Sequence, residues 1–286
     1  MSFFRYPGGK RKLGKVLVDI LHQQSGECPA NYEYREPFWG GGGIGILFVK
    51  GNSPERMWIN DLDPGISCLW SALLSNPEGI KRRIMKFEPS VDAFDDFSLH
   101  LKSKIPDFRD IESVTEYGFM KLVVHQTSYS GLGLKSGGPL GGRNQSSPYK
   151  IDCRWSPKYL CAKIDDVCGI MGKSKIRKSR CDCSDFQVLI DDESPALLYL
   201  DPPYYEKGSV LYHVSFSVED HVRMAEALRK TKHRWVLSYD ACDEIKELYG
   251  WANVERVNVN YSITSTKNSS NERESRWKYE YIITRR

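Results

Sequence analysis

Residues 32–49 read YEYREPFWGGGGIGILFV, and this stretch decides the fold. Residues 32–38 have the aromatic-rich character of a short strand, the glycines force a turn, and the apolar run at 46–49 continues as a helix. Gly40, Gly42 and Gly45 satisfy G-x-G-x-x-G between strand and helix. MWIN at 57–60 predicts a second strand ending on Asp61, and 64–75 a second helix. LGKVLVDILH at 13–22 places apolar groups at helical spacing ahead of them. The order β-α-β-α opens a doubly wound parallel sheet. Glycines there let a ligand approach the backbone, and an acid closing the next strand accepts hydrogen bonds from ribose hydroxyls. NAD, FAD and S-adenosylmethionine all fit that mechanics. Glu36 favours the last, because a carboxylate suits a cationic sulfonium ligand better than a pyrophosphate.

The sheet resumes with ALLYL at 196–200, an apolar strand of the kind buried on both faces. It runs directly into Asp201-Pro202-Pro203-Tyr204-Tyr205. Strand ends at the carboxyl edge are where open α/β sheets hold ligands. Two prolines stiffen the turn and remove two N–H donors. What remains is a rigid set of acceptors beside the Tyr204 ring. That arrangement suits an exocyclic amine of a nucleobase, whose lone pair is delocalised until acceptors take its hydrogens. The amine then attacks a methyl sulfonium in line, fixed dipoles stabilise the charge that develops, and Tyr204 stacks on the base. An aspartate of ordinary pKa, about 3.9, is ionised and serves. A base in a duplex must flip out to reach such a pocket. A helix over 219–230 and strands at 235–239, 254–263 and 277–284 complete the chain.

Residues 77–180 break the rhythm. A charged, helix-like stretch (78–122) is followed by the polar, glycine-rich TSYSGLGLKSGGPLGGRNQSSPYK at 127–150. This divides the chain into 1–76, an inserted module at 77–180, and 181–286. Long loops of this kind in a compact chain are usually functional. KSKIRKSR at 173–180 holds five basic residues and no acidic one, either a solvated loop or a strip that meets phosphates. The net charge of only +4 permits a polyanionic partner without demanding one. None of the eight cysteines forms a C-x-x-C pair, so no metal is expected and reduced, mostly buried thiols are. No apolar run approaches the roughly 20 residues of a membrane helix, and the N-terminus has no signal-like stretch, which points to a cytoplasmic protein.

In order along the chain, FRYPGGK (4–10), EPFWGGGG (36–43), NDLDP (60–64), CSDF (183–186) and DPPY (201–204) resemble the motifs of the Dam-type DNA adenine N6-methyltransferases. By composition alone the first is a glycine turn flanked by Arg5 and Lys10. The resemblance spans nearly the whole chain. It implies a Rossmann-like fold with a mixed central sheet and an inserted, mostly helical recognition domain, S-adenosylmethionine as cofactor, S-adenosylhomocysteine as product and double-stranded DNA as partner. It places Tyr6 and Lys10 beside the cofactor, Phe38, Gly40 and Gly42 along it, Asp61 on its ribose, and Asp185 and Phe186 near its adenine. Asp201, Pro202, Pro203 and Tyr204 would hold the target base, with Asp201 at both pockets.

TSYSGLGL at 127–134 resembles a hairpin that in GATC-reading relatives runs Tyr-Asn-Gly-Leu-x-Arg. Tyr129, Gly131 and Leu132 match; Ser130 and Leu134 stand where the family has asparagine and arginine. Arginine is the usual reader of guanine, so this departure argues against GATC. Lys135 and Arg143 are the nearby basic residues that could stand in, and Lys175 and Lys178 would contact phosphate. N4-cytosine methylation, RNA base methylation and a catalytically silent DNA- or cofactor-binding module remain as alternatives. A restriction endonuclease partner is not readable, and monomer and weak dimer both stay open.

Overall fold

A computed structural model describes residues 4, 6, 9–10, 12–51, 54–172, 178–205, 216–260 and 277–286. A seven-stranded sheet in the order β3-β2-β1-β4-β5-β7-β6 forms its centre. Strands β1 (Glu33–Glu36), β2 (Arg56–Asn60), β3 (Lys178–Asp182), β4 (Ala196–Leu200) and β5 (Arg234–Asp240) pair in parallel. Strand β7 (Trp277–Thr284) pairs antiparallel with both β5 and β6 (Asn253–Asn260). The sheet is therefore mixed, as the resemblance implied.

Period-two alternation divides each central strand between two apolar layers. On β4, Leu197 and Tyr199 enter one layer, and Ala196, Leu198 and Leu200 the other. The first layer is closed by α1 (Gly14–Ser25), α2 (Gly43–Gly51) and α3 (Pro64–Ser75), and the second by α8 (Phe186–Asp191), α9 (Val218–Lys230) and α10 (Asp243–Leu248). This burial on both sides is why ALLYL and WVLSY read as continuous apolar runs.

The middle of the chain is helical: α4 (Pro77–Lys86), α5 (Val91–Ser103), α6 (Ile111–Thr127) and α7 (Pro157–Met171). The single charged stretch expected over 78–122 is three helices. Ser90 caps α5, whose side chain accepts from Ala93, and Asp110 caps α6 by accepting from Glu112 and Ser113. Nothing in the composition marked α7, whose Leu160, Ile164, Val167 and Met171 form a buried stripe. Helix α6 lies directly on α3, and its apolar side chains join the first layer of the sheet core. The edge strand β3 begins at Lys178, inside the stretch assigned by sequence to the middle module; it pairs from Arg56↔Lys178 onward with β2. Residues 178–180 of the basic strip are therefore strand, and Lys175 lies outside the described residues. No described helix is long and apolar enough to cross a membrane. Cys68 and Cys242 are buried, Cys153 is exposed and the other five thiols are half-buried, so fewer are buried than expected.

The α3–α6 crossing depends on Gly118. A Cβ there would lie 2.6 Å from both Cα and N of Leu69, which are backbone atoms that cannot step aside. Gly118→Ala gains about 1 kcal/mol of helix propensity but overpacks the crossing by about 1–3 kcal/mol. Chemical denaturation is expected to show a net loss of stability; a more stable variant would contradict this packing.

Candidate active site

The chain reverses direction across the sheet between β1 and β4: β2 lies on one side of β1, and β4 on the other. At such a switch point the loops leaving the two carboxyl ends part and open a crevice. The loop after β1 is the glycine stretch, and the loop after β4 is DPPY. Asn60 at the end of β2 ties neighbouring loops together: its amide donates to the carbonyls of Pro37 (3.0 Å) and Ser184 (2.8 Å), and its oxygen accepts from Ser184 N–H (2.8 Å).

Gly40 (φ 47°) and Gly42 (φ 65°) have left-handed backbone, a region side chains rarely tolerate. A Cβ on Gly40 would strike the Tyr6 ring at 2.5 Å, so Tyr6 packs closely against the loop. A Cβ on Gly43, by contrast, would meet nothing within 4 Å, so the loop has an open side at the start of α2. Asp61 reaches into it, with Oδ2 accepting from Gly40 N–H (2.8 Å) and Oδ1 from Asp63 N–H (3.0 Å). Burial, and then the neighbouring Asp63 carboxylate, push its pKa up to about 7. Asp63 caps α3 and pairs with the buried Lys121 of α6 at 2.5 Å, so α6 reaches the loop that carries Asp61 directly. Open backbone, a half-buried carboxylate with unused lone pairs and an aromatic neighbour fit a nucleoside cofactor.

Glu36 is placed differently from its sequence reading. It is buried, accepts from the Tyr34 hydroxyl at 2.7 Å and from Gly45 N–H, and burial raises its pKa well above the usual carboxylate range. It clamps β1 to α2 instead of facing a ligand cation.

The second pocket is built around Asp201. Lys10, buried despite its charge, places Nζ 2.8 Å from Asp201 Oδ1, 2.7 Å from the Tyr204 hydroxyl and 3.4 Å from Glu280 Oε2 on β7. The ammonium also sits 4.3 Å from the Tyr204 ring centre. Ser238 on β5 donates to the same Asp201 Oδ1 at 3.0 Å. Since that uses the serine proton, the Tyr199 hydroxyl, 2.9 Å away, donates to Ser238. The Tyr204 hydroxyl in turn donates to Glu280 Oε1 at 3.0 Å. Both donors to Asp201 therefore converge on one oxygen, and Oδ2 has no hydrogen-bond partner among the described residues. Tyr205 N–H is held by Asp240 Oδ1 at 3.0 Å, so it does not point into the pocket either. Asp201 is not an aspartate of ordinary pKa: burial raises it, Lys10 pulls it back down, and Glu280 raises it again.

A family model described as D12 class N6 adenine-specific DNA methyltransferase matches residues 6–137 and 143–263. The chain belongs to this family. It is also 26% identical over 251 residues to the type II methyltransferase M.CviBI of Paramecium bursaria Chlorella virus NC1A, covering 86% of this chain and 85% of the viral protein. The family's chemistry selects methylation of adenine N6 in DNA over the cytosine N4 alternative.

In this adenine methyltransferase, Phe38, Phe186 and Phe216 form an aromatic wall beside the glycine loop, with ring centres 5.3–5.9 Å apart. Asp185 caps α8, and both of its oxygens are gripped by Arg223 at 2.9 Å; the guanidinium lies 4.4 Å over the Phe186 ring.

The stretch resembling a hairpin is two short 3-10 turns (Tyr129–Gly131 and Gly133–Lys135), closed by an isolated bridge between Ser128 and Pro139. Positive φ at Ser130, Gly131 and Gly133 curls the chain there. Tyr129, Ser130 and Lys135 are exposed, Leu132 is half-buried, and Leu134 packs on the core instead of projecting as a reader. Arg143 forms a two-pronged ion pair with Asp95. Sequence reasoning placed Lys10 beside the cofactor and missed Ser238, Glu280 and Arg223 altogether.

Proposed function

We propose that this methyltransferase transfers a methyl group from S-adenosylmethionine to N6 of an adenine flipped out of duplex DNA, with Asp201 Oδ2 as the main acceptor for the amine. The observation that carries this reading is the one-sided occupation of Asp201. Lys10 and Ser238 fix the carboxylate through Oδ1, so its rotation is stopped and Oδ2 is left for a hydrogen of the substrate.

S-adenosylmethionine supplies the methyl as a sulfonium. The protein does the rest. Gly40, Gly42 and the open side of α2 admit the nucleoside, Asp61 accepts from its ribose hydroxyls, and Phe38 with Phe186 flanks its adenine. Asp185 acts through Arg223, which it holds against that wall. Pro202 and Pro203 add no donor that would repel an amino group. As the amine attacks, Asp201 stabilises the positive charge that develops on nitrogen, in a pocket with little water to screen it. Tyr204, anchored at its hydroxyl by Lys10 and Glu280, offers its ring to the flipped base. Tyr129, Ser130, Leu132 and Lys135 form the candidate base-contacting surface of a 77–180 recognition module. With Leu134 packed inward and Arg143 tied to Asp95, this surface does not support GATC as target. Lys178, and Lys175 beyond the described residues, remain candidates for phosphate contact, and the type II relative suggests pairing with a restriction endonuclease.

Two outcomes are expected. Asp201→Asn, nearly isosteric, should lower kcat by at least about a hundredfold while the Kd for S-adenosylmethionine measured by calorimetry changes little; wild-type turnover would refute the assignment. Ribose hydroxyls donate best to the ionised form of Asp61. Binding below its raised pKa must therefore expel a proton, whereas above it no proton is released. Affinity for S-adenosylmethionine should tighten as pH rises through about 7, by up to about tenfold per unit below it, and Asp61→Asn should flatten the profile. An unchanged profile in that variant would remove Asp61 from the ribose site.

A further inference from the structure

Glu280 is a buried acid in the last strand, and the chemistry above uses it only to anchor the Tyr204 hydroxyl. It belongs to β7, which runs antiparallel to its neighbours and so delivers its first residues to the carboxyl edge of the parallel strands. Glu280 pairs there in register with Asp240 at the end of β5. Its two oxygens face the catalytic pocket from the side opposite the Asp201 turn, with Oε1 accepting from Tyr204 and Oε2 facing Lys10.

We propose that Glu280 is a positioning residue for methyl transfer: by sharing Lys10 with Asp201 and accepting the Tyr204 hydroxyl, it keeps the ammonium on Oδ1 and Oδ2 open for the amine. The inference rests on the reading of Asp201 given above. A lysine has three N–H bonds on a flexible stem. Here Nζ is within hydrogen-bond distance of Asp201 Oδ1 and the Tyr204 hydroxyl, and it forms an ion pair with Glu280 Oε2 at 3.4 Å. With the Glu280 charge gone, the ammonium loses one carboxylate partner and is drawn more strongly toward Asp201. It can then swing to chelate both carboxylate oxygens and compete with the amine. The Tyr204 hydroxyl loses its acceptor at the same time, and with it the orientation of the ring that faces the base.

Charge gives the idea a second signature. Lys10 ahead of α1, Ser238 on β5 and Glu280 on β7 act on Asp201 directly, and its charge is felt by Glu36 on β1, Tyr199 on β4, Tyr204 in its own loop and Tyr239 on β5. Glu280 raises the proton affinity of Asp201. Neutralising it should lower that affinity, so the acid limb of the rate profile should move to lower pH.

The test measures kcat against pH on plasmid DNA from a methylation-deficient host, together with the Kd for S-adenosylmethionine, for wild type, Glu280→Gln, Glu280→Asp and Asp201→Asn. Glu280→Gln is expected to lose about ten- to a hundredfold in kcat, keep its cofactor affinity and shift its acid limb downward. Glu280→Asp keeps the charge but loses reach, so its kcat should fall with the acid limb in the wild-type place. Wild-type kcat and profile in Glu280→Gln, or loss of cofactor affinity in step with kcat, would overturn the proposal. If Glu280→Gln does not fold, Glu280→Asp decides: reduced kcat at unchanged cofactor affinity supports the role, and wild-type kcat removes it. An inactive Asp201→Asn beside a wild-type-like Glu280→Gln defeats this inference alone, whereas an active Asp201→Asn defeats the reading beneath it.

Discussion

One buried ammonium group ties the DPPY turn to the last strand. Lys10 meets two carboxylates and a phenol that come from distant parts of the chain, and its burial would be costly without them. The rest of the fold can be viewed as the means of bringing these partners together. Parallel pairing of β1, β4 and β5 puts Asp201 and Ser238 at one edge, and the antiparallel insertion of β7 brings Glu280 to the same edge. Lys10, ahead of α1, supplies the cation at the same edge. The result is a carboxylate fixed at one oxygen and open at the other, which is what an acceptor for a weakly nucleophilic amine requires.

The helices of the middle of the chain are joined to this centre by packing and by charge. Lys121 reaches from α6 to Asp63, next to the acid at the end of β2. His125, one turn further on, packs at 5.5 Å on Tyr6, which lies against Gly40, and its Nδ1 is 3.1 Å from the carbonyl of Gly131 in the curled loop. The glycine loop after β1 and the curled loop at 129–135 thus share neighbours, and Gly118 sets how closely α6 can approach α3.

How much of this was readable beforehand follows from which signals are local. ALLYL was legible as a strand because both its faces are covered, and 64–75 as a helix because Asp63 and Pro64 give it an N-terminal cap and start. The glycine turn was legible because only glycine fits its backbone. The edge strand KSRCD carried no apolar alternation, since its register comes from β2, and it passed for a basic loop. Helix α7 was hidden behind a polar stretch that suggested no structure. Lys10 read as a cofactor neighbour because its partners lie 191, 194 and 270 residues away along the chain. Glu280 sits in WKYEYIIT, where alternation gives no reason to expect a buried acid; only the antiparallel placement of β7 reveals its use. Glu36 was read from its charge as a ligand contact; its buried bonds to Tyr34 and Gly45, which join β1 to α2, carry no local signal in the sequence.

The central claim is that Asp201 is held through one oxygen so that the other can take the amine. A crystal structure of the protein with S-adenosylhomocysteine and duplex DNA carrying its target site tests this directly. The account predicts an extrahelical adenine with N6 within about 3 Å of Asp201 Oδ2, while Lys10 and Ser238 remain on Oδ1. An adenine bound with N6 away from Asp201, or with Lys10 displaced to admit it at Oδ1, would contradict the account.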